Sequence, residues 1–208
     1  MAGRCPRGRA AQFAAALRPD EGRALREQWA FQQGNGQNAL SVREFEGIRL
    51  DARDWPLLVM EMPEGSVSDD AVHGALAHLE QIMTKTPAGT RFFQVTDLSR
   101  MTRFAPASQR RYAGEWSRRT AELAVRTRLG AVAVAPSPML RAILSAVAWS
   151  KGAKASSRVT LTRADGDLQG IRALEIAHPP VPPHLVALRE RLKACEPGHL
   201  SRDTAPMP

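Results

Sequence analysis

The sequence predicts an α/β fold, with a mixed, mainly parallel five-stranded sheet, an antiparallel edge hairpin and about four helices. Short apolar runs alternate with helix-length amphipathic segments, an order typical of a parallel sheet covered by helices. The run Gly130–Ala135 contains only small apolar residues, as expected of a strand that is buried on both faces. Two strand-like runs with a short connection precede the first helix, and they predict the edge hairpin.

In the first half of the domain, the apolar positions of residues 42–50 predict one imperfect strand, followed by a turn at Asp51–Asp54. The run Trp55–Met62 predicts a second strand. Apolar residues at helical spacing predict a helix over Ser66–Lys85, with two acids in its first turn and a lysine in its last. The run Phe92–Leu98 predicts the third strand.

The second half of the domain begins with a predicted helix over Pro106–Arg128 and a predicted strand over Gly130–Ala135. Ser137 and Pro138 then open a predicted helix over Met139–Trp149. A strand over Arg158–Arg163 and a helix from Thr162 to Ile176 are predicted to follow. Thr162 and Asp165 have the spacing of a capping box. Gly166 and Gly170 weaken the helix that follows this box.

Three regions are predicted along the chain. Residues 1–40 predict a poorly ordered basic leader, and whether they are translated stays open. Residues 42–178 form the α/β domain, and residues 179–208 form a proline-rich linker, a short helix and a polar tail. Cys5 and Cys195 lie near opposite ends and predict no disulfide framework, which favours a cytoplasmic location. No run is long and apolar enough to span a membrane.

The net charge of +8 is unevenly distributed. Residues 1–40 carry +3, residues 41–98 carry −5, residues 99–135 carry +6 and residues 136–208 carry +4. The sign changes just after Asp97, so the excess lies in the tails and in one central helix rather than along a continuous binding face.

The motifs of common enzyme classes are absent from the sequence. No Gly-x-Ser-x-Gly elbow is present, and the pair Gly34 and Gly36 does not follow a strand. His73 and His78 are five positions apart, so one helix directs them to different sides. We therefore predict no catalytic residue, no cofactor and no metal site, although an enzyme with unfamiliar residues stays open.

The helix over Pro106–Arg128 is rich in arginine, which invites a nucleic-acid interpretation. However, five charged residues alternate in sign at steps of three or four along one side, an arrangement typical of a solvated face. They are Arg111, Glu115, Arg118, Glu122 and Arg126. A solvated face is the main interpretation, docking of a protein partner is the second, and nucleic-acid binding is the least favoured.

The segment Asp97–Ser108 leads from the end of a predicted central strand into the next helix. Ligands of open α/β sheets bind at such strand ends, and a helix N-terminus favours an anion or a phosphoserine. A purely structural role is the alternative, in which Asp97 ends the strand and Ser108 or its neighbours cap the helix.

The strand end Asp97-Leu98-Ser99, followed by a loop and a helix, resembles anti-sigma-factor antagonist (STAS) domains. In those domains an Asp-Leu-Ser-like strand end precedes a helix-opening serine that can be phosphorylated. Residues 42–178 are also similar to small bacterial proteins described as STAS-like or SEC14-like. The matching segments are Trp55-Pro56-Leu57, Gln109-Arg110-Arg111 and Ser137-Pro138-Met139-Leu140-Arg141. The usual Asp-Ser-Ser-Gly signature of the family is replaced here by Ala105-Pro106-Ala107-Ser108-Gln109.

The resemblance implies a non-catalytic regulatory module that docks a protein partner through the loop after the third predicted strand. The predicted surface comprises Asp97, Ser99, Thr102, Ser108, Arg110 and Arg111, with Ser108 as the nearest match to the phosphorylated serine. A regulatory protein is the expected partner, and a homodimer stays open. The alternative is a small-molecule or lipid-binding module with a pocket under the helix Met139–Trp149.

Overall fold

A computed structural model describes residues 42–142, 144 and 157–194. Its strands are β1 (Val42–Phe45), β2 (Ile48–Asp51), β3 (Leu57–Glu61), β4 (Phe92–Asp97), β5 (Arg128–Val134) and β6 (Ser157–Thr160). Its helices include α1 (Asp69–Lys85), α2 (Ala107–Arg119), α3 (Ala121–Thr127), α4 (Arg163–Ala177) and α5 (Pro183–Ala194). Residues 138–142 and 144 are also helical. The predicted leader, the remainder of the helix Met139–Trp149 and the tail after residue 194 lie outside the described residues.

The six strands form one sheet in the order of the chain, β1-β2-β3-β4-β5-β6. β1, β2 and β3 pair antiparallel, whereas β3, β4, β5 and β6 pair parallel. The α/β class, the mainly parallel sheet and its antiparallel edge are therefore confirmed. The predicted counts of five strands and about four helices are wrong, since the described residues contain six strands, the helices α1 to α5 and the further helical segment at residues 138–142.

The additional strand arises because residues 42–50 form a hairpin rather than one imperfect strand. Glu46 and Gly47 both have positive φ, 46° and 86°, and they connect Phe45 to its partner Ile48. Two successive positive-φ residues make the tight turn whose twist matches that of the strands. The Glu46 carboxylate also accepts a hydrogen bond at 3.0 Å from the backbone N–H of Ser68, which precedes α1.

The predicted helix Pro106–Arg128 is divided into α2 and α3 at Thr120. Thr120 is buried, and its hydroxyl donates a hydrogen bond at 2.9 Å to the carbonyl oxygen of Trp116. Its backbone departs from helical values, with φ −94° and ψ 5°. β5 then begins at Arg128, two residues before the predicted start.

One face of the sheet is covered by α4 and α5. Its core contains Leu57, Val59, Phe93, Val95, Val132, Val134, Ile171, Leu174 and Leu185. Thr162 is the N-cap of α4, because its hydroxyl accepts a hydrogen bond at 3.1 Å from the Asp165 N–H. Leu185 of α5 is fully buried. The core therefore continues beyond residue 178, where the sequence placed the end of the domain.

α1 covers the opposite face together with α2. The Ser68 hydroxyl caps α1 by accepting a hydrogen bond at 3.1 Å from the Ala71 N–H. Leu79 of α1 and Trp116 of α2 are buried. The Trp116 indole donates to the Glu80 carboxylate at 3.1 Å, which links the two helices.

Two histidines link the stability of this fold to pH. The Nε2 atoms of His78 on α1 and His178 after α4 are buried without a hydrogen-bond partner in the described part of the chain. Burial lowers the pKa of each below its usual value of 6.5. A pKa that is lower in the folded than in the unfolded state favours folding above the unfolded value. This stability is lost as the pH falls below it.

We therefore expect the urea midpoint of unfolding to be lower at about pH 5.5 than at about pH 7.5. In the His78→Leu variant one of the two groups cannot titrate, so the difference between the two midpoints should be smaller. An unchanged difference in this variant would contradict the role of His78.

Candidate functional site

The parallel strands β3 and β4 end at Glu61 and Asp97, which are partners in the register of the sheet. Because side chains alternate along a strand, these carboxylates lie on the face that carries Val59 and Val95, the face covered by α4. Ligands of open α/β sheets bind at this carboxyl edge. The carboxyl edge of β3 and β4 is therefore the expected position of a functional site.

Arg163, the first residue of α4, contacts three carboxylates at this edge. Its Nε donates a hydrogen bond to Asp167 at 2.7 Å, and its Nη1 donates to Glu61 at 3.0 Å. The same Nη1 lies 3.9 Å from an oxygen of Asp97. One guanidinium therefore joins the start of α4 to the ends of both β3 and β4.

Asp167 is the most buried acid of this group, with 6% of its surface exposed. Burial raises the pKa of its carboxyl, and the adjacent Arg163 guanidinium offsets only part of that rise. Burial also acts to lower the pKa of Arg163, but the Asp167 and Glu61 carboxylates raise it by more. The charges of the two partners therefore depend on each other, as expected for an ion pair with limited access to water.

The network continues from Glu61 to the antiparallel edge. Arg49 donates to Glu61 at 3.0 Å and to Asp51 at 2.9 Å. Arg53 also donates to Asp51, at 2.6 Å. Burial acts to raise the pKa of Asp51, but the bonds from Arg53 outweigh it and leave that pKa lowered. We call this whole group the edge network: Arg49, Asp51, Arg53, Glu61, Asp97, Arg163 and Asp167.

Asp97 connects the edge network to residues 98–106, which we call the β4–α2 loop. One Asp97 oxygen accepts a hydrogen bond at 2.9 Å from the Ser99 N–H, while the other faces Arg163. Further along, the Thr102 hydroxyl donates to the backbone oxygen of Glu64 at 2.8 Å. The base of the loop is thus attached to the sheet and to the segment that precedes α1.

The remainder of the loop is exposed to solvent. Phe104 has 44% of its surface exposed, and Arg100 and Arg103, which precede it in the loop, are also exposed. Neither arginine forms an ion pair with any residue that the structure describes. The loop therefore presents an aromatic ring and two cations on a fixed base.

Ser108 lies in the first turn of α2 and is exposed. Its hydroxyl lies 3.5 Å from a carboxylate oxygen of Asp69, the first residue of α1. The neighbouring Gln109 is buried and donates to the backbone oxygen of Val67 at 2.8 Å. The starts of α1 and α2 therefore meet at Ser108.

The six predicted site residues do not form one cluster. Only Asp97 and Ser99 share a hydrogen bond, whereas Thr102 contacts Glu64 and Ser108 contacts Asp69. Arg110 and Arg111 are exposed on the first turns of α2 and form no ion pair within the described ranges. The six residues extend along one continuous stretch of chain from the end of β4 into α2.

The alternating charges of the arginine-rich segment are all exposed, but no ion pair joins them in the part of the chain that is described. The break at Thr120 leaves three of them on α2 and two on α3. The nearby Arg119 instead pairs at 2.9 Å with Glu80 of α1. These contacts make the segment a poor candidate for a continuous phosphate-binding stripe.

Comparison of this chain with protein-family models, with curated proteins and with solved structures gives no match. The functional interpretation therefore depends on the sequence itself and on the geometry of the described residues. Among the described residues, no group of three or more His, Cys, Asp or Glu side chains is arranged to hold a metal ion. No described helix is both long and apolar enough to cross a bilayer.

Sequence reasoning identified only Asp97 of the edge network and missed its other six members. Among these six, a signal was available for Glu61, Arg163 and Asp167. Glu61 is the acid that ends the apolar run of the second predicted strand, as Asp97 ends that of the third. Arg163 and Asp167 have the four-residue spacing of an ion pair on a helix.

A surface pocket of about 330 Å³ lies between β6 and α4. It is lined by Val159, Thr160, Leu161, Asp165, Leu168, Gln169 and Arg172. The sequence placed a pocket elsewhere, under the helix Met139–Trp149, most of which lies outside the described residues.

Proposed function

We propose that the protein is a STAS-like regulatory module of the cytoplasm that acts by binding a protein partner rather than by catalysis. The docking surface is the β4–α2 loop together with the first turns of α2. The observation that carries this proposal is the contrast within the loop. Asp97 and Thr102 hold its base, while Arg103 and Phe104 are exposed.

A fixed base favours binding, because less conformational freedom is lost when the loop contacts a partner. Exposed arginine and aromatic side chains are also the residue types that contribute most to the centres of protein interfaces. Both properties support docking at this loop.

Ser108 is the proposed control point of this surface. A negative charge on its side chain would be repelled by Asp69, whose carboxylate is 3.5 Å from the hydroxyl. The N-terminus of α2 would favour the same charge. Modification would therefore alter the contact between the starts of α1 and α2, directly beside the loop.

We expect the Ser108→Asp variant to recover its partner at least about tenfold less efficiently than the wild-type chain, a change of about 1.4 kcal/mol in binding. The measurement is quantitative affinity purification of the full chain from its own cell. Ser117→Asp is the matched control, because Ser117 is exposed on the same helix but farther from the loop. Equal recovery of every partner with Ser108→Asp and Ser117→Asp would refute the control point.

The pocket between β6 and α4 favours a second candidate, a small-molecule-binding module. Its volume of about 330 Å³ lies at the lower end of the range of ligand sites. A native mass spectrum of the full chain with a bound ligand that disappears in Leu168→Trp would support this candidate. A ligand-free spectrum of the wild-type chain would contradict it.

A further inference from the structure

We propose that the partner segment that docks on the β4–α2 loop is acidic and carries an apolar side chain that packs on Phe104. This inference rests on the docking function proposed above and names the chemistry of the partner. It follows from the charge, the exposure and the extent of the surface.

The chain segment that forms this surface carries charge of one sign. From Leu98 to Gly114 the chain contains four arginines and no aspartate or glutamate. Arg100, Arg103, Arg110 and Arg111 are all exposed and form no ion pair with the described residues. Complementary charge on a partner would guide its approach and determine its orientation.

Other arginines that the structure describes form ion pairs with carboxylates, whereas these four do not. In the edge network, Arg49 and Arg163 are each within 3.0 Å of a carboxylate. Beside this surface, the Asp97 carboxylate accepts from the Ser99 N–H and the Asp69 carboxylate faces the Ser108 hydroxyl, and neither is paired with one of these four arginines. Carboxylates from outside this surface are therefore the natural partners of the four guanidinium groups.

The extent of the surface favours a protein segment over a nucleic acid. Beyond Gly114 the exposed positions of α2 and α3 include Glu115 and Glu122, which interrupt the positive charge. A nucleic-acid backbone needs a basic groove along its length and usually stacks its bases on several aromatic rings. A short basic surface around one exposed phenylalanine instead fits an acidic segment with one apolar anchor.

The experiment is photo-crosslinking of the full chain in its own cell, with p-benzoylphenylalanine in place of Phe104. This side chain keeps an aromatic ring at the centre of the surface. The matched controls carry it in place of Val125 on α3 or Ile176 on α4, which are even more exposed than Phe104. The crosslinked peptides are then sequenced by mass spectrometry.

We expect position 104, and not the controls, to capture a peptide with an excess of Asp and Glu. Arg103→Glu should reduce this capture about tenfold, whereas Arg126→Glu, the same charge reversal on α3, should leave it unchanged. Capture of a neutral or basic peptide at position 104 would overturn the acidic partner and leave the docking function intact. Capture of nucleic acid or lipid, or no capture above the controls, would overturn both.

Discussion

Replacing Arg163 with methionine should lower the free energy of unfolding by about 3 kcal/mol, because carboxylates with little access to water lose their cation. Asp167 is almost completely buried and accepts a hydrogen bond at 2.7 Å from this guanidinium. Glu61 keeps its bond to Arg49, so the loss falls mainly on Asp167 and Asp97. Methionine preserves most of the apolar stem, so the change reports the charge. Urea unfolding followed by tryptophan fluorescence gives the measurement.

Arg172→Met is the matched control for this variant. Arg172 lies on the same helix, is exposed and pairs with no carboxylate in the described residues, so its loss should change stability by less than about 0.5 kcal/mol. Similar losses in Arg163→Met and Arg172→Met would show that the edge network contributes nothing to folding.

A double variant separates the contribution of the ion pair to stability from the contribution of side-chain packing. In Arg163→Met/Asp167→Leu the buried acid is removed together with its cation, and such replacements are often neutral or stabilising. We expect the double variant to be more stable than Arg163→Met alone. Additive losses from the two substitutions would contradict a direct interaction between the side chains.

The pH dependence of Arg163→Met gives an independent check. Without the guanidinium, the pKa of Asp167, already raised by burial, rises further above its unfolded value. An acid whose pKa is higher in the folded state favours folding at low pH and disfavours it as the pH rises through the folded value. The deficit of Arg163→Met relative to the wild type should therefore be smaller at about pH 4.5 than at about pH 7.5.

The edge network also shows which parts of this molecule local sequence patterns can predict. α1 was predicted because its apolar spacing, its acidic first turn and the lysine of its last turn are all local features. β4 and β5 were predicted for the same reason, as apolar runs of strand length. The break at Thr120 could not be predicted, because no local pattern shows that this threonine is buried.

The site was predicted in part for a related reason. Asp97 was found because a strand end followed by a loop is a local pattern. The bond between Arg163 and Glu61 joins residues 102 positions apart, and no local spacing reveals such a pair. Gly170 was interpreted only as a residue that weakens a helix, because its neighbours on the sheet, Leu57 and Phe93, are also far away in the sequence.

Gly170 should prove indispensable to the packing of α4, since a β-carbon at this position has no room. An alanine Cβ would lie 2.6 Å from Leu57 Cδ1 and 2.8 Å from Phe93 Cδ1. Both side chains belong to the core of that face, so neither can move away easily. We expect Gly170→Ala to lower the free energy of unfolding by about 2 kcal/mol, although alanine is the better helix former.

Gly114 in the middle of α2 provides the matched control, because no atom other than the adjacent residues and the nearby backbone of α2 lies within 4 Å of a β-carbon placed there. Gly114→Ala should therefore stabilise the protein by about 0.5–1 kcal/mol, through helix propensity alone. Glycine-to-alanine substitution is thus expected to lower the free energy of unfolding at Gly170 and to raise it at Gly114. If Gly170→Ala also stabilised the protein, α4 could not approach the sheet as closely as the structure indicates.

Leu57→Val removes the methyl group that the new β-carbon would meet, so Gly170→Ala should be less destabilising in that background than in the wild type.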